Sequence, residues 1–388
     1  MFELAGKYTS AKVYADICES EAQAQIVKLC NHPAFEGATI RVMPDVHAGA
    51  GCTIGTTIKS SNGYIVPNLV GVDIGCGVLT VLFTAPKIDY QGLDQFISKN
   101  IPSGFAVRDI PASYPEVNKV RKELEQFCEN HGFLDKYSRH LCSIGTLGGG
   151  NHYIEIGKTS DGKYALSIHS GSRNLGKVIC DYYQQIAKEH LNTIKKSSEA
   201  YHHITGDLAF LQGVETENYL HAMNVCQKIA TVNRRAIAYD IFEYLRANNG
   251  HEVVVDDLIE TIHNYIEITC NGYIIRKGAV AAYEDQRLSI PLNMRDGVLL
   301  CRGKGNPDWN FSAPHGAGRI MSRSKAKEVV TLDDFIESMD GIQTWSVCSS
   351  TIDESPQAYK PTESIIDAIG DTVEIIDIIT PLYNYKAH

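Results

Sequence analysis

A short glycine-flanked turn carries two residues that can bind a divalent metal ion. Asp73 and Cys76 stand three residues apart in GVDIGCG, residues 71–77. A carboxylate oxygen and a thiolate can face one cation from such a turn. On its own the pair is weak evidence for a metal site, because an aspartate that forms a turn and a buried structural cysteine are both common.

Three histidines stand in unusual settings. His152 follows GGGN at the start of an apolar segment, His169 ends the segment ALSI, and His263 lies in ETIHNYIE. Imidazole nitrogen is the commonest protein ligand for metals, although a single histidine of this kind is more often structural. Together with Asp73 and Cys76 they favour a metal site. The mixed set suits zinc, manganese, iron or cobalt, and Cys76 could bridge two ions that lie close together.

The segment SAPHGAGRIMSRSKAK, residues 312–327, contains a histidine, two glycines and the most basic stretch of the chain. A neutral nitrogen of His315 could attack a nucleotide α-phosphate, and a glycine loop could bind phosphate through its N–H groups. A capping histidine at a helix N-terminus with a solvated basic face explains the same residues, and the segment alone favours that interpretation. In HSGSRNLG, residues 169–176, Arg173 could contact a second phosphate.

The remaining sequence predicts the elements that must position these residues. Glycine-rich stretches with many Val and Ile residues predict short buried strands joined by tight turns at 38–84 and 143–176. Helices are predicted at Ser20–Asn31, at 115–131 and from about Glu215 to Asn249, where Gly250 is placed to end the longest one. Further strands are predicted at Tyr273–Ala281 and Val298–Arg302, and the tail Asp371–Tyr385 should pack.

Repeats and linker-like segments are not found, so we expect one α+β domain over residues 1–388 with a helical insertion at about 178–250. The motif GTLGGGN matches neither the P-loop nor the GxGxxG pattern, which argues against a Walker-type ATPase and a Rossmann dehydrogenase. The glycine-rich blocks all combine short apolar segments with glycine turns, and we expect them to converge on one site.

Composition narrows the class of protein. The net charge of −10 argues against a broad basic surface for nucleic acid, so any nucleic acid should meet a local basic cleft or bound metal. Composition alone points to an enzyme acting on small molecules. Eleven cysteines without a CxxC pair predict reduced thiols in a cytoplasmic protein. We expect no signal peptide in MFELAGKYTSAKVYAD and no membrane span.

Several blocks resemble the signature blocks of the RtcB family of RNA ligases, in the family's order and across essentially the whole chain. They are MPDVHAG (43–49), GVDIGCG (71–77), GTLGGGNHYIEI (145–156), HSGSRNLG (169–176), KGAV (277–280), APHGAGRIMSR (313–323) and DESPQAYK (353–360), followed by Lys386. The resemblance implies an α+β fold with a mixed β core specific to this family.

The resemblance also implies roles for individual residues. Two Mn²⁺ ions would share Cys76 and be held by Asp73, Cys76, His152, His169 and His263. His315 would become guanylylated, Asp45 would assist near the metal, and Arg173 and Arg319 would meet RNA or nucleotide phosphate. GTP would be surrounded by Asn151, Glu155, Asn264, Pro291, Asn293, Met294, Gly316, Ala317, Gly318, Tyr359 and Lys386.

The implied reaction joins RNA ends that bear a 2′,3′-cyclic phosphate or 3′-phosphate to ends that bear a 5′-hydroxyl, through histidine–GMP and a GMP-activated RNA 3′ end. It would serve tRNA splicing or RNA repair, and an archease-type activator could take part. One departure is PLNMRDGV, residues 291–298, where many relatives have PGSMG. It indicates a subfamily variant and leaves open a metal-dependent RNA-end phosphoesterase without guanylylation. The intact ligand set and HGAG argue against a non-catalytic RNA-end binding protein.

Overall fold

The computed structural model describes residues 1–387, apart from the side chain of His251. The strands are β1 Phe2–Ala5, β2 Ser10–Val13, β3 Thr39–His47, β4 Ile54–Ser60, β5 Gly77–Thr84, β6 Tyr153–Lys158, β7 Tyr164–Ser170, β8 Val254–Ile262, β9 Asn264–Thr269, β10 Gly272–Lys277, β11 Ala279–Ala281, β12 Arg287–Pro291, β13 Val298–Gly303, β14 Ser312–Pro314 and β15 Val373–Lys386. The α-helices are α1 Ser20–Cys30, α2 Tyr90–Asn100, α3 Pro115–Asn130, α4 Tyr137–Cys142, α5 Asn174–Lys195, α6 Val214–Asn249, α7 Arg323–Val329, α8 Leu332–Ser338 and α9 Thr362–Ile369.

The larger sheet has seven strands in the order β12-β13-β15-β6-β7-β5-β8, and its neighbouring strands are antiparallel. The sheet curls so strongly that its two edge strands meet. The backbone N–H of Ser289 on β12 donates to Thr261 Oγ1 on β8 at 3.1 Å. The result is close to a barrel. Antiparallel neighbours make the starts of some strands and the ends of others meet at one rim of this sheet.

A six-stranded sheet, β1-β2-β3-β4-β10-β9, and a two-stranded ribbon of β11 and β14 complete the β structure of the described residues. The ribbon pairs Ala279 with Pro314, directly before His315. The chain passes from the six-stranded sheet to the ribbon at Gly278, whose φ is 62°. The strand structure predicted over Tyr273–Ala281 is confirmed and consists of two strands, because the glycine turns the backbone into a different sheet.

The 36-residue helix α6 lies against one face of the seven-stranded sheet. Ile237, Ile241 and Phe242 of α6 pack on apolar side chains of β5, β6 and β7, and the rings of Phe242 and Phe83 are 5.2 Å apart. A helix of this length forms because residues 214–249 contain neither proline nor glycine, and it ends at Gly250 with φ 66°.

Most predicted elements are confirmed to within a residue or two at their ends, including the helices near 20–31, 115–131 and 215–249. The predicted α+β class is also confirmed. The apolar tail packs as β15, between β13 and β6 in the middle of the larger sheet. None of the helices within residues 1–387 is both long enough and apolar enough to cross a lipid bilayer.

Candidate active site and metal centre

The proposed metal ligands meet at one rim of the seven-stranded sheet because of the strand directions. Asp73 and Cys76 precede β5 and His152 precedes β6, whereas His169 lies near the end of β7 and His263 directly follows β8. Register brings these ends level: Gly77 pairs with Ser170 on one side and with Ile262 on the other. Four segments far apart in sequence therefore place their polar side chains in one buried cluster.

The cluster consists of two overlapping groups that could each hold a metal ion, Cys76–His169–His263 and Asp73–Cys76–His152. Cys76 belongs to both. Its Sγ lies 3.2 Å from Nε2 of His169 and 3.5 Å from Nε2 of His152. Four of these side chains have little exposure, between 3% for Cys76 and 5% for His152. The arrangement suits a thiolate shared by two adjacent cations.

Backbone carbonyls fix which nitrogen of two histidines faces the cluster. Nδ1 of His152 lies 2.8 Å from the carbonyl oxygen of Leu147, and Nδ1 of His169 lies 3.2 Å from that of Asn151. Each Nδ1 must donate its proton to the carbonyl, so in the neutral ring, the form that binds metal, each Nε2 presents a lone pair inward. Nε2 of His169 also lies 3.4 Å from Nε2 of His263. Such converging lone pairs fit a shared cation, so this donor set suits a bound metal.

Protonation in the metal-free chain also fits ligand chemistry. Burial lowers the pKa of His169 and of His263 well below the usual value, which keeps both imidazoles neutral and able to bind metal. Burial, and then the nearby Asp73 carboxylate, raise the pKa of the Cys76 thiol well above its usual value. A divalent cation reverses this preference, because a coordinated thiol is deprotonated.

Gly171 gives the carboxylate of Asp73 the space that it needs. A Cβ atom at position 171 would lie well inside van der Waals distance of Asp73 Oδ1. Asp73 Oδ2 in turn lies 3.0 Å from Nε2 of His152. Burial alone would raise the pKa of Asp73, but the contact with His152 outweighs it and holds the pKa at about 2. Asp73 is therefore ionised and held at the cluster.

His315 is oriented by the buried carboxylate of Asp45 on β3. Asp45 Oδ2 lies 2.6 Å from His315 Nδ1 and accepts the backbone N–H of His315 at 3.1 Å. Nδ1 must carry the proton in this pair, so Nε2 of the neutral ring keeps a lone pair that could act as a nucleophile. The His315 ring stacks obliquely on His263 with a centroid distance of 4.7 Å. The oriented nitrogen thus belongs to the same site as the metal ligands.

The capping-histidine interpretation of residues 312–327 is wrong. Helix α7 begins only at Arg323, and its N-cap is Ser322, whose side chain accepts the Lys325 N–H. His315 instead follows strand β14 and opens the loop Gly316–Gly318. Gly318 has a φ of 73°, and a Cβ there would collide with the Asp45 backbone. The loop packs directly against the strand that carries the orienting carboxylate.

A cavity of about 470 Å³ opens beside this cluster, a volume within the range of small-ligand sites. It is lined by four of the five metal-ligand candidates, by His315 and Arg319, and by the whole set assigned to GTP: Asn151, Glu155, Asn264, Pro291, Asn293, Met294, Gly316, Ala317, Gly318, Tyr359 and Lys386. Residues from opposite ends of the chain therefore share one cavity.

One buried carboxylate, Glu354, organises the cationic side of the cavity. It lies 2.6 Å from Lys386 Nζ and 2.6 Å from Arg323 Nη1, and it accepts the Tyr359 hydroxyl at 2.8 Å. Burial would raise the pKa of Glu354, but Lys386 and then Arg323 outweigh it and hold the pKa at about 2. The carboxylate stays ionised and fixes these cations.

Glu155 is a second buried carboxyl on the cavity, and its pKa is shifted in the opposite direction to that of Glu354. Burial raises its pKa to about 8, although Lys386 lowers it in part. Its Oε1 has no hydrogen-bond partner among the described residues. A buried carboxyl oxygen without a partner is costly, so a ligand with N–H groups is the natural partner for Glu155.

Two of the predicted contact residues already have partners within the protein. Arg173 lies outside the lining of the cavity, and its guanidinium donates to Thr146 Oγ1 and to the Gly104 carbonyl. Asn293 lines the cavity, but its Oδ1 accepts the backbone N–H groups of Arg295 and Asp296. The departure at 291–298 thus forms a self-bonded turn, because the asparagine side chain closes it.

Sequence reasoning missed Glu354 and two buried residues on α6, Asn233 and Arg234, which contact the ligand-bearing segments. Glu354 lies inside the DESPQAYK block, and its place in a signature block that also contains Tyr359 was the available signal. Asn233 and Arg234 interrupt the apolar run of KIATVNRRAIAYDIF. Polar residues on the buried face of a helix indicate specific partners.

Fold and site together define an α+β protein with a buried group able to hold metal ions beside an oriented histidine. The family model described as tRNA-splicing ligase RtcB matches residues 25–387. The chain belongs to the RtcB family.

Curated relatives agree with this family. The chain is 34% identical to the RNA-splicing ligase RtcB of Escherichia coli K12, over 92% of each chain. It is 28% identical to the tRNA-splicing ligase RtcB of Aeropyrum pernix, over 84% of this chain and 82% of the relative. It is 26% identical to the RNA-splicing ligase RtcB homolog 1 of Entamoeba histolytica, over 84% of this chain and 76% of the relative.

Proposed function

We propose that this chain is a GTP-dependent RNA ligase that joins RNA ends with a 2′,3′-cyclic phosphate or 3′-phosphate to RNA ends with a 5′-hydroxyl. An RNA ligase role in tRNA splicing or RNA repair accords with its family. The observation that carries the finer proposal is the Asp45–His315 pair, 2.6 Å apart, in ring contact with His263. The eleven free cysteines fit a reducing compartment, so we place the protein in the cytoplasm.

The first step belongs to His315. Its Nε2 attacks the α-phosphorus of GTP, a P–N bond forms, and the bond from that phosphorus to the bridging oxygen breaks as pyrophosphate leaves. Asp45 keeps the proton on Nδ1 and stabilises the positive charge that develops on the ring. The glycine loop 316–318 lies at the same end of the cavity, where backbone N–H groups can approach phosphate oxygens.

Two further displacements complete the ligation. Water opens a cyclic phosphate to a 3′-phosphate, and an oxygen of that phosphate attacks the His315-bound GMP phosphorus, so that Nε2 leaves. The 5′-hydroxyl of the second RNA then attacks the activated 3′-phosphorus, and GMP departs. In each step negative charge collects on phosphoryl oxygens.

The residues fit a pair of divalent cations, with Asp73, Cys76 and His152 holding one and Cys76, His169 and His263 holding the other. When bound, these ions would neutralise charge on phosphoryl oxygens. The family resemblance favours Mn²⁺ for both positions. Asn264 helps to position the site, because its Nδ2 donates to the Asp73 carbonyl and its Oδ1 accepts the Gly278 N–H.

The base of GTP is assigned to the part of the cavity near Glu155. An ionised Glu155 can accept two N–H groups from the edge of guanine, whereas the corresponding edge of adenine presents an acceptor. Lys386 provides a cation in the same region, and Tyr359 and Met294 provide apolar surface. RNA phosphate is assigned to Arg319, which lines the cavity, and to Arg173, which lies outside this lining. An archease-type activator is part of the proposal and would raise turnover without changing these contacts.

The test is covalent labelling with α-phosphate-labelled GTP, with His315→Ala as the control. We expect wild-type protein to retain label in Mn²⁺, with less in Mg²⁺ or Zn²⁺ and less from ATP, and we expect His315→Ala to retain none. Equal labelling of the two proteins would refute the assignment of His315.

A second assay separates ligation from simple hydrolysis. RNA with a cyclic phosphate end and RNA with a 5′-hydroxyl end are incubated with protein, Mn²⁺ and either GTP or no nucleotide. Joined RNA should form only with GTP. If the cyclic phosphate is opened without GTP and joined RNA never forms, the protein is a phosphoesterase and the ligase proposal fails.

A further inference from the structure

Asn233 and Arg234 form a buried polar pair in the middle of α6, and neither side chain has any exposed surface. Burying an amide and a guanidinium is costly unless their hydrogen-bonding groups are satisfied. Apart from Thr231 on α6 itself, their hydrogen-bond partners lie on segments that carry the proposed metal ligands.

Arg234 connects three of these segments. Its Nη1 donates to the Gly75 carbonyl, between Asp73 and Cys76, and to the Ser170 carbonyl, each at 2.9 Å. Its Nε and Nη2 donate to Glu260 Oε1 on β8, at 3.0 and 2.7 Å. One planar guanidinium therefore fixes the turn before β5, the end of β7 and the strand that leads to His263.

Asn233 connects the fourth segment to the others. Its Oδ1 accepts the N–H groups of Gly145 and Thr146 at 2.8 and 3.0 Å, next to the Leu147 carbonyl that orients His152. Its Nδ2 donates to Ser170 Oγ at 2.9 Å and to the Gly171 carbonyl at 3.1 Å. The amide is thus saturated by backbone that surrounds His152 and His169.

We propose that Asn233 and Arg234 are positioning residues that hold the four ligand-bearing segments in the geometry that binds metal. This inference rests on the proposed metal centre. The two residues need not touch a metal ion: they set the spacing of the segments, and the ligands follow. Ligand orientation by surrounding hydrogen bonds typically changes metal affinity about 10- to 100-fold.

Asn233→Asp and Arg234→Lys test the proposal with little change in volume. The aspartate still accepts from Gly145 and Thr146, but it repels the Gly171 carbonyl. The lysine keeps the positive charge but cannot reach Gly75, Ser170 and Glu260 together. Ser170→Ala is the mildest variant, because it removes a single hydroxyl, which accepts from Asn233 Nδ2 and donates to the Leu147 carbonyl at 2.7 Å.

The matched control is Arg276→Lys. Arg276 is also a fully buried arginine. It pairs with Glu267 and donates to the Tyr265 hydroxyl, rather than to the segments that Asn233 and Arg234 contact. Arg276→Lys should lose about as much thermal stability as Arg234→Lys. If metal affinity depended on stability alone, this control and Arg234→Lys would weaken metal binding equally.

The measurement is a titration of the metal-free full chain with Co²⁺, followed by the thiolate-to-cobalt charge-transfer band from Cys76, together with thermal unfolding of the metal-free proteins. We expect Asn233→Asp and Arg234→Lys to weaken Co²⁺ binding about 10- to 100-fold and to alter the band. Ser170→Ala should weaken it several-fold, and Arg276→Lys should leave both affinity and band unchanged.

Three other outcomes would overturn the inference. Wild-type affinity in Asn233→Asp and Arg234→Lys overturns the inference, whatever their unfolding temperatures. If those two variants fail to unfold cooperatively, Ser170→Ala decides, and an unchanged affinity there overturns it as well. A wild-type protein without a charge-transfer band would instead refute the metal centre itself, and the inference would fall with it.

Discussion

At the scale of single residues, the Asp45 carboxylate decides which nitrogen of His315 carries the proton. It accepts both the ring N–H and the backbone N–H of the same residue, which fixes the ring as well as its tautomer. The same logic applies at His152 and His169, where backbone carbonyls take the place of the carboxylate. In all three histidines a hydrogen bond at Nδ1 therefore fixes which nitrogen faces the site.

Asp45→Asn should slow the formation of histidine–GMP by at least about 100-fold, because an amide can donate to Nδ1 and so stabilise the tautomer with a protonated Nε2. The rate of labelling with α-labelled GTP measures this effect, and GTP affinity should change little. Asp371→Asn, an exposed carboxylate at the surface, serves as the control. Labelling of Asp45→Asn at the wild-type rate would show that the pair does not orient the nucleophile.

Glu155 should make the protein less stable as the pH rises. In the unfolded chain its pKa is about 4.3, whereas burial raises the folded value to about 8. The folded state therefore holds a proton that the unfolded state loses, so the free energy of unfolding falls between these pH values and levels off above them. Glu155→Gln removes this dependence.

The unfolding temperature of Glu155→Gln should therefore exceed that of wild type at pH 8, by an amount equivalent to about 2 kcal/mol or more. The difference should shrink as the pH approaches 5. Thermal unfolding of the metal-free and nucleotide-free proteins across this range measures it, with the same substitution at an exposed position, Glu284→Gln, as the control. A constant difference at all pH values would contradict the raised pKa.

At the scale of elements, strand direction gathers the site. β5 and β6 start at the rim where β7 and β8 end, so the turns and ends that carry ligands become neighbours. Close backbone approach at this rim depends on positions without a side chain, above all Gly171 beside Asp73. The cluster that could hold metal ions therefore depends on strand register as much as on the identity of its residues.

Gly171→Ala should weaken metal binding about tenfold or more with little loss of thermal stability, because the new methyl group displaces the Asp73 carboxylate. Calorimetric titration with Mn²⁺ measures the affinity. Gly370→Ala is a matched control, since a Cβ there meets no atom within 4 Å and the backbone conformation is ordinary. If both alanine variants bind Mn²⁺ like wild type, the space at position 171 is not needed.

The sequence predicted the elements well because their signals are local. The helix near 215–249 follows from an uninterrupted composition, and the strands follow from apolar runs between glycines. The sequence also predicted that the glycine-rich blocks converge, and the family resemblance supplied the ligand set. The pairing of Asp45 with His315 and of Glu354 with Lys386 could not be read from local pattern, because each joins residues whose proximity depends on the whole fold.

The turn at residues 291–298 shows the same limit. The unusual asparagine and two adjacent charges were visible in the sequence, and they indicated a changed nucleotide contact. In the structure Asn293 bonds its own loop, and Asp296 accepts from the Thr362 hydroxyl on α9. Local pattern identifies an unusual residue, whereas its partner on a distant helix depends on tertiary packing.

At the scale of the whole molecule, the chain is acidic and its most basic segment is largely neutralised. Lys327 and Arg323 pair with Asp353, and Arg323 and Arg319 also pair with Glu354. Each of these cations therefore has an acidic partner, and the segment presents little net positive field to distant RNA. RNA should be held by a few local contacts, with weak dependence on salt.

Asp353→Asn should increase RNA affinity several-fold at low salt and make its salt dependence steeper. The substitution releases Lys327 and leaves Arg323 paired with Glu354 alone. Each additional phosphate contact adds about 0.7 to the slope of log affinity against log salt for a single strand. Fluorescence anisotropy with a labelled RNA at several salt concentrations measures both quantities. Asp333→Asn, exposed on α8, changes net charge equally and should not alter the slope; an equal effect of both variants would mean that net charge alone matters.

The position of β15 has a consequence for the order in which this protein can be made. Residues 373–386 insert between β13 and β6, two strands that are translated earlier, and they carry Lys386 into the cavity. A nascent chain that lacks this segment leaves two strand edges open in the centre of its larger sheet. The larger sheet closes only when β15 pairs with β13 and with the distant strand β6. We expect this step to be slow and to leave those edges accessible to chaperones during synthesis.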